Sequence, residues 1–162
     1  MKIQRRERKL KMENTIVILL VEDDPNDVRM TVRELEKNCR AIRIDVVRDG
    51  EEALDYLLCQ GAYHDRPPSA RPQLILMDLN LPKVGGLQVI QEIKRRTETK
   101  AIPVVALTSS AEEKDVAESY KLGVNSYIQK PVGFDEFRRA IRTLGLYWTE
   151  HNQAPPIEAF TA

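Results

Sequence analysis

The sequence predicts an α/β fold, a doubly wound sheet of five parallel strands with five helices covering both faces. Three observations carry this. From residue 15 onward, short apolar runs alternate with stretches of helical period, the pattern of strand-to-helix crossovers. Three of those runs are apolar without interruption, as strands buried on both faces are. The chain has 162 residues, enough for one core of ordinary size and short for two.

Residues 16–21, IVILLV, form the first continuous run. Behind it, Asp24 and Pro25 read as the cap and first position of a helix whose apolar stripe is Val28, Val32, Leu35 and Cys39. Residues 43–47 mix polar and apolar side chains, as a strand near a sheet edge does. A second helix is expected over 50–60 and a second continuous strand over 74–77, followed by a helix over 87–93. Residues 104–107 are the last continuous run, and a fourth helix over 111–122 ends at Gly123, a C-terminal stop. Residues 125–129 again resemble an edge strand, and Phe134, Phe137, Ile141 and Leu144 mark the final helix.

The connections are equally readable. Residues 61–72, GAYHDRPPSARP, are rich in Pro and Gly and form an exposed loop that could serve as a contact surface. His64 in this loop has no second ligand type at metal spacing and is expected to be solvated. Residues 1–14 form a basic tail, with six basic and two acidic side chains in the first thirteen positions. Residues 15–148 are the folded domain. Residues 149–162 form a tail in which Pro155 and Pro156 rule out a continued helix, so it lies along the surface or at an oligomer contact.

Composition removes several function classes. Lys plus Arg equals Asp plus Glu at 25 each, so no overall field draws the protein to nucleic acid or an anionic membrane. No apolar run approaches the length of a membrane span, and a cytoplasmic location is expected. Cys39 and Cys59 lack metal spacing and read as free thiols of a reducing compartment.

In an open parallel sheet, functional groups gather at the carboxyl ends of the strands. The residues there are Glu22-Asp23-Asp24, Asp78-Leu79-Asn80, Thr108-Ser109-Ser110 and Lys130-Pro131. If the first and third strands are neighbours, Glu22, Asp23 and Asp78 converge. Two carboxylates about 4 Å apart repel by roughly 4 kcal/mol at an effective dielectric of 20, so a cation is needed. Oxygen-only ligands suit Mg2+ rather than zinc. A metal, a lysine ammonium (Lys130) and a small hydroxyl (Thr108) are the parts that stabilise charge on a transferring phosphoryl group, and Asp78 can serve as the nucleophile. Taken singly, Thr108 and Ser109 also read as helix caps and Tyr127 as a half-buried edge residue. Together, the strand-end residues favour the chemical reading.

The segments ILLVEDD, LILMDLNLP, VVALTSS and YIQKP, in this order and spacing, resemble the receiver domains of bacterial response regulators over residues 15–146. The resemblance implies a flavodoxin-like sheet of order 2-1-3-4-5. It makes Asp78 the phosphoacceptor and Glu22 and Asp23 the acidic pair, with Asp23 a direct Mg2+ ligand and the Asn80 backbone carbonyl completing ligation. Lys130 would pair with the phosphoryl group. Thr108 would swing onto it as Tyr127 moves inward, altering the face formed by the fourth helix, fifth strand and fifth helix. Asn80 and Ser110 would tune the phosphoryl lifetime. The Lys130–Pro131 bond is expected to be cis, aiming the lysine into the site, and Gly86 to serve a turn that a side chain would obstruct.

The 61–72 loop, DLNLPKVGG, SYKLGVNSYIQKPV and the LYW ending followed by PP are similar to small regulators paired with phytochrome-type histidine kinases. That implies a sensor histidine kinase as phosphoryl donor. The residues after the last helix are too few for an output domain, so another protein is expected downstream, without direct DNA binding or membrane association. The same resemblance allows a homodimer through the helix-four to helix-five face, where Tyr147 and Trp148 either contribute or simply close the core. The chain is expected to catalyse only its own phosphorylation and dephosphorylation. A haloacid-dehalogenase-type enzyme is disfavoured because its DxD nucleophile motif and cap domain are missing. A phosphorelay shuttle to a histidine phosphotransfer protein and a phosphorylation-independent pseudo-receiver are the alternatives.

Overall fold

The computed structural model describes residues 3–4 and 15–161; apart from residues 3 and 4, the basic tail expected over 1–14 lies outside the described residues. Five strands, β1 (Ile16–Val21), β2 (Ile42–Val47), β3 (Leu74–Met77), β4 (Val104–Thr108) and β5 (Ser126–Gln129), form one sheet of order β2-β1-β3-β4-β5. All four pairings are parallel. The continuously apolar strands β1, β3 and β4 occupy the middle and the mixed strands β2 and β5 the edges, because only the middle strands must be apolar on both faces.

Among the described residues, four helices return the chain between strands, α1 (Pro25–Asn38), α2 (Gly50–Leu58), α3 (Gly86–Lys94) and α4 (Glu113–Lys121), and α5 (Phe134–Leu146) follows the last strand. Alternation along the strands divides the core into two layers. Leu19, Val21, Ile75 and Met77 pack with Ala53, Leu57, Val89, Ile90 and Ile93 of α2 and α3. Ile18, Leu20, Leu74 and Leu76 pack with Val28, Leu35, Phe137, Ile141 and Leu144 of α1 and α5. Each fully buried Ile or Leu contributes about 1.5–3 kcal/mol.

Helix ends follow local chemistry. Asp24 caps α1 by accepting from the amides of Asn26 (2.8 Å) and Asp27 (2.9 Å), with Pro25 at the first position, as expected. α2 stops at Leu58, two residues short of the expected end, because Cys59 takes a left-handed conformation at φ 54°. Gly123 follows α4 at φ 100°, the backbone state its stop role requires. Both cysteines are free, Cys39 buried and Cys59 half-buried.

Two segments are more tightly held than a loop and a tail. The largely exposed 61–72 connection carries two short 3-10 turns. It is pinned by Arg66, which donates to the carbonyls of Ala70 and Tyr56 and stacks 3.9 Å from the Tyr56 ring centre. Tyr63 donates to Glu52 at 2.8 Å. After α5, a π-helical turn (Tyr147–His151) leads into a 3-10 turn (Ile157–Phe160). Trp148 packs on the α1/α5 layer while Phe160 packs on the opposite layer, under the Arg71 guanidinium at 4.3 Å. The C-terminal segment thus links both faces of the sheet. Among the described residues, no helix is long and apolar enough to cross a membrane.

Candidate functional site

Parallel register brings the carboxyl ends of the middle strands to one edge. Val21 pairs with Met77, and Met77 with Ala106, so Glu22 and Asp78 emerge side by side and Thr108 follows on the next strand. Ligating oxygens of Glu22, Asp23 and Asp78 all lie within 4.8 Å of one another. Glu22 and Asp78 are buried and Asp23 is exposed. This is the convergence expected from neighbouring first and third strands.

Lys130, at the end of β5, crosses to this cluster. Its Nζ donates to Glu22 Oε2 at 2.5 Å, Asp27 Oδ2 at 2.8 Å and Asp78 Oδ2 at 3.0 Å. The lysine does this without a cis bond: the described residues contain no cis peptide, so Lys130–Pro131 is trans, contrary to expectation. Trans is the preferred isomer by about 0.5–1 kcal/mol, and the four-carbon lysine stem reaches the cluster from the strand end. Asp27 was not anticipated. It sits in the first turn of α1, one turn past the acidic pair, and that spacing was the available signal.

The electrostatics follow from this geometry. Burial raises the Glu22 pKa to about 7, with the Asp78 charge adding to the effect and the Lys130 hydrogen bond opposing it. Burial also disfavours the Lys130 ammonium, yet hydrogen bonds to Asp27 and Glu22 and the charges of Asp78 and Glu22 hold its pKa above the ordinary lysine value. One ammonium thus faces several carboxylates, and negative charge is left over. The donor set is all oxygen, partly open through Asp23, and fits a hard divalent cation that retains water.

The Asp78 carboxylate is held at both oxygens. Oδ2 accepts from Lys130, and Oδ1 accepts from the Asn80 amide at 3.0 Å. Gly86 closes the following loop by donating to the Leu79 carbonyl at 3.0 Å. A Cβ on Gly86 would lie 2.4 Å from the Asp78 carbonyl oxygen, so a side chain is excluded by close approach rather than by an unusual φ.

Thr108 and Tyr127 both bond to Ser110 rather than to the strand-edge acids. The buried Thr108 Oγ1 accepts from the Ser110 amide at 3.4 Å, and the Tyr127 hydroxyl donates to the Ser110 carbonyl at 2.9 Å. Ser110 Oγ in turn donates to Asp115 of α4 at 2.5 Å. His64 is exposed, beside Asp65 and away from the site, as expected.

Comparison with known proteins agrees with this arrangement. The family model of the response regulator receiver domain matches residues 18–142. Response regulator Rcp1 of Synechocystis sp. is 41% identical over 134 residues, covering 83% of this chain and 89% of its own. The crystal structure of its Mn2+-bound form superposes with a TM-score of 0.82 at 40% identity, over 87% of this chain and 99% of that one. The structure of the phosphorylated cyanobacterial phytochrome response regulator RcpA gives 0.82 at 37% identity, over 88% and 99%. A probable methanogenesis regulatory protein of Methanothrix harundinacea, FilR2, is 38% identical over 146 residues, 90% of this chain and 92% of its own. With its flavodoxin-like sheet, its strand-edge acids and these relatives, the chain belongs to the response regulator receiver domain family of two-component signalling.

Proposed function

We propose that the protein is a Mg2+-dependent phosphorylation switch that accepts a phosphoryl group on Asp78 from a sensor histidine kinase of phytochrome type. The observation that carries this is the meeting of Lys130 with Glu22, Asp27 and Asp78 beside the Glu22, Asp23 and Asp78 oxygens. An Asp78 carboxylate oxygen attacks phosphorus. The bond from phosphorus to the kinase's histidine nitrogen breaks, its electron pair leaves with the imidazole, and an acyl phosphate forms.

Asn80 and Lys130 fix the carboxylate's orientation before attack. Lys130 then follows the charge onto the phosphoryl oxygens. Glu22, Asp23, Asp78 and the Asn80 carbonyl are the groups that would hold the cation, which when bound offsets charge on the carboxylates and on the transferring group. Thr108 and Tyr127 report the change, since both bond to Ser110 and Ser110 bonds to α4. The output is the α4-β5-α5 face, read by a downstream protein or a second copy of the chain. The phytochrome-type pathway rests on the likeness to RcpA, a cyanobacterial phytochrome response regulator.

On this reading the chain works in the cytoplasm, residues 15–148 being the switch domain between two tails. It catalyses only its own phosphorylation and dephosphorylation. The test is incubation with acetyl phosphate and Mg2+ followed by a phosphate-affinity gel. A shifted band is expected from wild type and none from Asp78→Asn or with chelator. An unshifted wild type that also gives no response to beryllofluoride would overturn the proposal.

A further inference from the structure

Gly50 opens α2, distant in sequence from Asp78, yet it lies against the loop that follows the acceptor. A Cβ there would sit 1.8 Å from the Val84 carbonyl oxygen, 2.6 Å from the Val84 carbonyl carbon and 2.8 Å from the Val84 Cβ. The two closest obstacles are backbone, so no rotamer change relieves the clash. The Gly50 amide donates to the Pro82 carbonyl at 3.5 Å. Lys83 Nζ stands 3.2 Å from Asp49 Oδ2 and 3.6 Å from Glu51 Oε2. Lys83 itself is held at φ 63°, a left-handed conformation that costs a residue with a side chain. Residues 82–84 are therefore held by residues 49–51, Pro82 and Val84 lying against Gly50 and Lys83 between Asp49 and Glu51.

The other end of this loop is held at Gly86, which packs on the Asp78 carbonyl. Gly86 bonds to the Leu79 carbonyl, so Asn80, whose amide holds Asp78 Oδ1, lies between Leu79 and the held residues 82–84. We infer that the start of α2, centred on Gly50, is a positioning element for the phosphoryl site. It acts through Pro82, Lys83 and Val84 to set the Asn80 amide that orients the Asp78 carboxylate. The inference rests on the reading of Asp78 as phosphoacceptor. Asp49, Gly50 and Glu51 touch no reacting atom; their effect passes through the loop.

The test uses the full chain with Gly50→Ala, Gly50→Ala combined with Val84→Gly, Lys83→Gly and, as a stability control, Gly145→Ala. A Cβ at Gly145 meets Leu35 and Cys39 side chains at 2.7 and 2.8 Å, between α1 and α5. Two quantities are read: phosphorylation rate against acetyl phosphate concentration in saturating Mg2+, and hydrogen exchange of the Asn80 amide in metal-free protein.

Gly50→Ala should lower the maximal rate by about tenfold with the half-saturating concentration unchanged, because misplacing a positioned group slows the step rather than donor binding. Asn80 exchange should speed up by about tenfold. Val84→Gly should restore part of both by letting the Val84 peptide turn away. Lys83→Gly, at an exposed position, should slow the reaction by about two- to fivefold. Gly145→Ala should melt earlier at wild-type rate.

Wild-type rate and exchange in Gly50→Ala would overturn the inference. If that variant does not fold, unchanged rate and exchange in Lys83→Gly would do so. An equal slowing in Gly145→Ala would also overturn it, by tracing the loss to stability alone. If wild type accepts no phosphoryl group, the reading of Asp78 falls, while Asn80 exchange still decides whether α2 positions the loop.

Discussion

Lys130→Met removes the ammonium that Glu22, Asp27 and Asp78 share while keeping a chain of similar reach. In the native protein its Nζ lies 2.5, 2.8 and 3.0 Å from oxygens of Glu22, Asp27 and Asp78. At an effective dielectric of 20, each full pair at such range attracts by roughly 5.5–6.6 kcal/mol. The three do not add, because desolvation of the buried charges opposes them, and the Asp27 side chain is 32% exposed, which weakens its share. Removing one partner of a buried ion pair costs about 3–5 kcal/mol, which for a chain of this size lowers Tm by about 6–20 °C. The deficit depends on pH in a defined direction. Glu22 already has its pKa raised by burial, and losing the lysine raises it further. A raised folded pKa contributes stability that is complete below the unfolded value and lost as pH rises through the folded one. The variant should therefore approach wild type near pH 4.5 and fall furthest behind near pH 8. Urea unfolding in chelator at a series of pH values measures this, and added Mg2+ should stabilise the variant more than wild type. A deficit under about 1 kcal/mol at pH 8, or one independent of pH, would refute the reasoning.

Other outcomes are expected from particular contacts. Gly86→Ala places a Cβ 2.4 Å from the Asp78 carbonyl oxygen and 2.7 Å from the Leu79 Cα; both are backbone, so a loss of about 1–3 kcal/mol should accompany loss of phosphorylation, measured by denaturation and phosphate-affinity gel. Burial lowers the Lys94 pKa to about 8, so the folded protein binds fewer protons than the unfolded chain between there and pH 10.5. Stability from this group should rise across that window, and Lys94→Met should remove the rise in melting curves while leaving the carbonyls of Lys100 and Ile102 without their donor. Phe160→Ala should cost about 1–3 kcal/mol by losing apolar contact with the core and the Arg71 stack, measured by urea unfolding, with phosphorylation of Asp78 unaffected.

By itself the sequence determined the sheet and the chemistry at its edge. Short uninterrupted apolar runs such as LILM at 74–77, set between stretches of helical period, read as strands covered on both sides, and alternation divides their side chains between two layers. Glu22, Asp78, Thr108 and Lys130 were legible because each directly follows or closes a strand, and parallel pairing carries all strand ends to one edge. What the tertiary structure decided were contacts across large sequence separations. Periodicity places Asp27 on a helix, but only packing of α1 on the sheet brings it to Lys130, 103 positions away. The docking of Phe160 on the far layer and the grip of Gly50 on Val84 likewise depend on atoms that meet only after the layers have assembled. Strand and helix patterns record which face a residue turns to the core; they carry no record of which distant group occupies the space in front of it.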